Sequence, residues 1–103
     1  MSDQSVAKEI LRQLGGGKFI AITGAKNFVS EGTALWFKLP GTPGFVKQGI
    51  NAVEIRLMPS DTYTVRFWRV IKGEATKKGE VEGVYFDQLQ NVFEEHTGLV
   101  ASL

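Results

Sequence analysis

The sequence contains no cysteine and only one histidine, so several kinds of chemistry are excluded or poorly supplied. Without cysteine the chain has no disulfide, no thiolate nucleophile and no cysteine-ligated zinc or iron-sulfur site. The histidine, His96, falls near the end of a predicted helix, where the helix dipole favours a cation, and we interpret it as a capping or surface residue. No nucleophile motif or oxygen-rich cluster accompanies it. We therefore expect a protein that is not an enzyme and that carries no metal and no cofactor.

The sequence also lacks a long apolar run and a large excess of charge. No stretch approaches the roughly 18 consecutive apolar residues that a membrane helix needs. The first residues, MSDQSVAKEILRQL, carry acidic groups and a helical spacing rather than a basic start followed by an apolar block, so they do not predict a secretory signal and we expect a cytoplasmic protein. The net charge is +1, which is not the strong basic excess of a typical duplex-DNA binder. Any nucleic-acid contact must therefore come from local patterning.

The 103 residues fit one domain, 1–103, and hydrophobic spacing predicts a helix near each end of it. Ser2 or Asp3 can cap the first helix, and Gly15 supplies its stop. The apolar stripe of this helix is formed by Val6, Ile10, Leu11 and Leu14. The last helix ends at a glycine C-cap, Gly98. Its apolar side is formed by Phe86, Leu89, Val92 and Phe93.

Between these helices, period-two alternation predicts strands over 33–39, 51–58 and 62–70. The β-rich stretch KFIAIT, 18–23, is interpreted as an irregular first strand. The polar stretch 72–83 is typical of a mobile hairpin tip or loop, with Val81 turned inward. The predicted fold is α+β: an N-terminal helix, an antiparallel sheet of about four strands, and a C-terminal helix packed on one sheet face.

Alternation assigns the two faces of the central strands. The face covered by helices takes nine apolar side chains: Leu35, Phe37, Leu39, Val53, Ile55, Leu57, Tyr63, Val65 and Phe67. Each contributes roughly 1.5 to 3 kcal/mol when buried, so the register is strongly determined. The opposite face then collects aromatic, cationic and smaller polar residues: Trp36, Lys38, Arg56, Met58, Thr64, Arg66 and Trp68.

Aromatic and cationic side chains together are typical of a surface for single-stranded nucleic acid. Bases stack on the aromatic rings, for about 1 to 3 kcal/mol per base, while the cations pair with phosphates. The alternative is a structural role, in which the first helix or a second copy of the chain covers this face. Trp36 and Trp68 would then pack against that helix or that second copy, and the aliphatic parts of the arginine side chains would lie along its apolar surface.

A turn at 24–27, GAKN, adds two further candidate binding residues. Lys26 offers a cation and Asn27 an amide, and a glycine-containing bend can present backbone N–H groups to an anion or a partner. The structural alternative is a bulge that lets the strand turn. The nearby run GGGK resembles a phosphate loop, but Phe19 stands where that loop needs Ser or Thr. A helix stop followed by a flexible linker is the better interpretation of these glycines.

Two segments, LGGGKFIAITGAKNF and GVYFDQLQNVFEEHTGL, resemble those of small uncharacterised proteins of bacteriophages and other mobile elements. The resemblance spans most of the chain and brings no known function, catalytic residue or cofactor with it. It implies a bacterial cytoplasm and two kinds of task, handling phage DNA or RNA and blocking a host defence protein. The order of sheet and helix is also similar to that of coactivator-type single-strand DNA binders, a likeness of architecture alone.

These observations lead to three hypotheses about partners, and none of them involves a membrane. The first is single-stranded nucleic acid bound by the aromatic and basic face together with Lys26 and Asn27. The second is a phage-encoded inhibitor or adaptor that binds a host protein through the same face or through the stretch KGEATKKGE. The third is a homodimer that uses this face as its seam.

Overall fold

The structure, a computed structural model, describes residues 4–40 and 49–99. The helices are α1 (Gln4–Leu14), α2 (Gly16–Thr23) and α3 (Leu89–Thr97), the last preceded by a 3-10 turn at Phe86–Gln88. The strands are β1 (Lys26–Glu31), β2 (Ala34–Lys38), β3 (Ala52–Leu57), β4 (Tyr63–Ile71) and β5 (Glu74–Val84). They form one antiparallel sheet in the order β1-β2-β3-β4-β5. The α+β prediction is confirmed, with five strands rather than about four.

All three helices pack on the same face of this sheet. Ile10 and Leu14 of α1, Phe19 of α2 and Leu89 and Phe93 of α3 belong to one core cluster. The same cluster contains the apolar side chains predicted for the covered face of β2, β3 and β4, with Leu57 at its margin. The predicted assignment of the two sheet faces is therefore correct, and the other face of the sheet receives no described helix.

The prediction of a strand over 18–23 is wrong, because these residues form α2. Helix α1 does stop at Gly15, but the next glycine opens α2, so the glycines are not a flexible linker. Phe19 explains the difference: its ring meets those of Phe37 and Phe93 edge-on, at centroid distances of 5.5 and 5.1 Å. This burial outweighs the modest helix penalty of the β-branched residues in the segment.

The polar stretch 72–83 is also not a loop, since most of it belongs to β5. Lys72 and Gly73 both have positive φ, 51° and 81°, and connect β4 to β5 by the mirror-image two-residue turn that suits strand twist. Strand β5 then pairs with β4 along its length, with two register shifts. Val81 is partly buried against the core, as predicted.

The C-terminal helix agrees with its prediction except at one aromatic position. Gly98 adopts the left-handed conformation and its N–H donates to the carbonyl of Glu94, which confirms the glycine cap. Phe86 precedes the helix and is exposed rather than part of the apolar side. His96 lies in the last turn of the helix, is half-buried and stacks on Phe67, at a ring-centroid distance of 4.8 Å and an interplanar angle of 4°.

The predicted caps of the first helix, Ser2 and Asp3, lie outside the described residues. Among the helices that the structure describes, none combines the length and the apolar character needed to cross a membrane.

The role of Phe19 predicts a large difference between two phenylalanine truncations. Phe19→Ala removes a fully buried ring and should lower the free energy of unfolding by about 3 to 5 kcal/mol. Phe86→Ala, at a ring that is 61% exposed, should change it by less than about 0.5 kcal/mol. Urea unfolding followed by circular dichroism measures both values. Equal losses in the two variants would contradict the assignment of Phe19 to the core.

Candidate functional site

The face of the sheet turned away from the helices, here called the outer face, contains the predicted aromatic and basic residues. The ladder places Trp36 opposite Glu54 and Glu54 opposite Arg66, so these three share a face. Lys38 and Trp68 lie on either side of Ala52 in the same way. Helix α1 packs on the other side, so it does not cover this face and that alternative is wrong.

The register arranges the outer face in rows that run across the strands. The first row, called the cationic row, takes one residue from each strand: Lys26, Lys38, Ala52, Trp68 and Lys77. Neighbouring strands are about 4.8 Å apart, so this row spans about 19 Å. The second row consists of Val29, Trp36, Glu54, Arg66 and Glu80. The third contains Glu31, Ala34, Arg56 and Thr64.

Charge is distributed unevenly among these rows. The cationic row holds three lysines and no carboxylate. In the second row two glutamates face one arginine, and in the third Glu31 accompanies Arg56. The excess positive charge of the outer face therefore lies at one end of the sheet, which the small net charge of the whole chain does not reveal.

Glu54 is the centre of an ion-pair network in the second and third rows. Its side chain is 3% exposed and pairs with Arg56 at 3.0 Å and with Arg66 at 3.1 Å. Arg66 continues to Glu80 at 2.7 Å, and Arg56 continues to Glu31 at 3.4 Å. A buried carboxylate requires such compensation, because removing it from water without a partner is costly.

Glu80 closes the network on strand β5. Its carboxylate accepts hydrogen bonds from Lys77 at 2.9 Å and from Arg66 at 2.7 Å. These two donors lower the pKa of Glu80 below its ordinary value, and the hydrogen bond to Glu80 raises the pKa of Arg66. Arg56 and Arg66 were predicted as ligand contacts, but the structure engages both in ion pairs and leaves their side chains 31% and 29% exposed.

The two tryptophans of the outer face contact each other diagonally across the sheet. Their ring centroids are 6.4 Å apart with an interplanar angle of 28°. Both side chains are half-buried. The indole N–H of Trp36 donates to Glu31 at 2.7 Å, whereas the buried indole N–H of Trp68 has no hydrogen-bond acceptor among the described residues. The pair is thus a partly exposed aromatic surface rather than two free rings.

Lys26 and Asn27 lie at a bulge in the edge strand β1. Asn27 has a φ of 57°, a conformation that asparagine tolerates better than most residues, and the register shifts between Lys26 and Val29. The structural alternative of a bulge is therefore confirmed. Its effect is to place Lys26 directly opposite Lys38 on the outer face.

The bulge thus brings Lys26 to the predicted surface. The acidic residues of this surface, Glu31, Glu54 and Glu80, were not predicted from the sequence. The signal for Glu54 was present, because alternation in NAVEIRLM places it on the same face as Arg56. The signals for Glu31 and Glu80 were weaker, since their positions depend on β1 and β5, which the sequence pattern did not delimit.

Removing the charge of Glu54 should destabilise the chain more than removing that of Glu31. Glu54→Gln leaves two guanidinium groups without their shared buried partner and should cost about 1 to 3 kcal/mol in the free energy of unfolding. Glu31→Gln acts on a side chain that is 63% exposed and should cost less than about 1 kcal/mol. Urea unfolding at low salt compares them, and an equal cost would contradict the central place of Glu54.

The lowered pKa of Glu80 predicts a pH-dependent contribution to stability. Because the folded-state pKa is depressed, the contribution is present above the ordinary value of 4.5 and is lost as the pH falls through the folded-state pKa. The loss of stability on Glu80→Gln should therefore be largest at neutral pH and shrink in acid. Glu82→Gln, at an exposed position on the same strand and without an ion pair among the described residues, is the matched control for removing one carboxylate. A difference that stays constant from pH 7 to pH 3 would refute the ion-pair role of Glu80.

Neither a metal site nor a likeness to known proteins assigns a function to these residues. Within residues 4–40 and 49–99, no three histidine or carboxylate side chains form a group that could hold a metal ion. Comparisons with protein families, with curated proteins and with solved structures found no match to this chain. The geometry of the outer face is therefore the best guide to the function of the chain.

Proposed function

We propose that the chain is a non-enzymatic binding module that contacts single-stranded nucleic acid through its outer face. The observation that carries the proposal is the cationic row: three lysines and Trp68 in register across the whole sheet, with no carboxylate among them. No described helix covers this row. A flexible polyanion can follow such a row, and its separated bases can reach the adjoining indoles.

The proposal assigns different tasks to the basic residues. Lys26, Lys38 and Lys77 contact phosphates, because all three residues are exposed at one end of the face. Lys26 and Lys38 have no ion pair among the described residues, whereas Lys77 also donates to Glu80 and keeps 45% of its side chain exposed. Arg56 and Arg66 brace the surface through Glu54, since their guanidinium groups already donate to carboxylates. Bases stack on the exposed parts of the Trp36 and Trp68 rings. A duplex, whose bases are already stacked inside, offers no such contact, so the proposal is specific to single strands.

As part of the proposal, the resemblance to phage proteins suggests a bacterial cytoplasm as the site of this activity. A second candidate, a phage-encoded inhibitor or adaptor of a host protein, is favoured by a different surface. Tyr85 and Phe86 are adjacent and are 59% and 61% exposed. Exposed aromatic residues are common anchors of protein interfaces. Most of the stretch KGEATKKGE lies in the edge strand β5, whose outer backbone groups pair with no described strand and could accept one from a partner.

The two candidates differ in which variants abolish binding. Under the second candidate one host protein co-purifies with the chain at equal stoichiometry. This co-purification persists after nuclease treatment and is abolished when Tyr85→Ser and Phe86→Ser are combined. Under the first candidate these changes leave oligonucleotide binding intact. A homodimer seam on the outer face would instead double the molar mass in solution.

Oligonucleotide binding should be sensitive to salt and to the lysines of the cationic row. Neutralising three phosphate contacts on a single strand predicts a slope of about −2 for log K against log salt concentration. The triple variant Lys26→Gln, Lys38→Gln, Lys77→Gln should lose most of the binding and nearly all of this slope. Tryptophan fluorescence during titration with oligothymidylate measures both quantities.

A matched control separates the cationic row from charge in general. Lys8, Lys18 and Lys72 are also exposed lysines but lie outside the row, so their triple Gln variant has the same net charge. It should bind almost like the wild type. Equal losses in the two triple variants, or no binding by the wild type at low salt, would sink the proposal.

A further inference from the structure

The corner of the sheet where β1 meets β2 carries two lysines that face each other. Lys26 and Lys38 are direct cross-strand partners on the outer face and both are exposed. Like charges directly opposite each other destabilise an antiparallel pair. No described carboxylate forms an ion pair with either of them, whereas Lys77 at the other end of the cationic row is paired with Glu80. The charge of this corner is therefore uncompensated within residues 4–40 and 49–99.

A shallow cleft opens between these lysines and the start of β3. Its walls are formed by Lys26, Lys38, Leu39, Asn51 and Val70. The side-chain amide of Asn51 accepts a hydrogen bond from the N–H of Val70 at 2.8 Å and donates to the carbonyl of Val70 at 2.9 Å. This amide is thus committed to holding the cleft wall in place. None of the described residues that line the cleft is acidic, so two ammonium groups dominate its chemistry.

We propose that this cleft binds a phosphate monoester at the end of the nucleic-acid strand, a proposal that rests on the proposed function of the outer face. A terminal phosphate carries about −1.5 to −2 charges at pH 7, whereas an internal phosphodiester carries one. Two adjacent ammonium groups without a carboxylate match the dianion better than the monoanion.

The position of the cleft supports the same conclusion. The two lysines stand at the β1 end of the cationic row, and the cleft runs from them along the strand ends as far as Val70 of β4. None of the described strands lies beyond β1. A strand of nucleic acid that follows the row from Lys77 past Trp68 therefore reaches this pair of lysines last, and a strand that ends there presents its terminal phosphate to them.

Oligonucleotides that differ only at their ends test this inference. We expect the wild type to bind a 5′-phosphorylated or a 3′-phosphorylated oligothymidylate about five- to tenfold more tightly than the same strand with hydroxyl ends. Comparing the two phosphorylated strands shows which end enters the cleft. The preference should disappear in Lys26→Gln and in Lys38→Gln and persist in Lys18→Gln. It should also weaken from pH 7 to pH 5, because the second pKa of a phosphate monoester is near 6.

The outcomes separate this inference from the proposed function. Equal affinity for phosphorylated and unphosphorylated strands would overturn the terminal-phosphate site and leave nucleic-acid binding intact. If no oligonucleotide binds, the proposed function fails, and inorganic phosphate then tests the cleft alone. Amide chemical-shift changes at Lys26 and Lys38 that Lys26→Gln abolishes would support the cleft, and their absence would overturn it. Thermal unfolding of each variant verifies that the lysine changes leave the fold intact.

Discussion

The outer face of this protein is determined by what the inner face must bury. Side chains alternate along a strand, so placing one apolar set against the helices fixes the opposite set toward the outside. Three central strands agree on this assignment, and a shift of one residue in any of them would expose several large side chains at once. The rows of the outer face, and with them the segregation of its charges, follow from this register.

A second constraint acts within the outer face. Glu54 is buried in the second row, opposite Trp36, and is compensated by Arg56 and Arg66, each of which reaches a further carboxylate. Such a network is weak evidence for stability in itself, because desolvation offsets much of the attraction between the charges. Its clearer consequence is that both arginines are already engaged with carboxylates, as Lys77 is with Glu80. Lys26 and Lys38 are left as the cations of the cationic row that have no ion pair among the described residues.

The parts of the fold that could be predicted are those in which local pattern and burial agree. Periodic apolar residues mark the first helix and the three central strands. A glycine marks the end of the last helix. Helix α2 could not be predicted, because its residues favour strands and only the tertiary contacts of Phe19 make them helical. Strand β5 was missed because it is an edge strand with few buried side chains, so its sequence resembles a loop.

The candidate site was predictable to a similar extent and for the same reason. Alternation placed Trp36, Lys38, Arg56, Arg66 and Trp68 on one face, and the structure does bring them together. Alternation could not predict the ion-pair partners of Arg56 and Arg66. Glu31 lies on a strand with a bulge and Glu80 on an edge strand, and the sequence pattern did not predict the limits of either strand. The same bulge, at Asn27, determines that Lys26 joins the cationic row.

A chemical-shift map of the labelled chain with a short oligothymidylate would show whether the outer face binds nucleic acid. The largest amide shifts should fall on the cationic row, at Lys26, Lys38, Ala52, Trp68 and Lys77. Residues on the outward sides of α1 and α3 should stay nearly unchanged. Shifts confined to the helices or to Tyr85 and Phe86, or no shifts at low salt, would contradict nucleic-acid binding by the outer face.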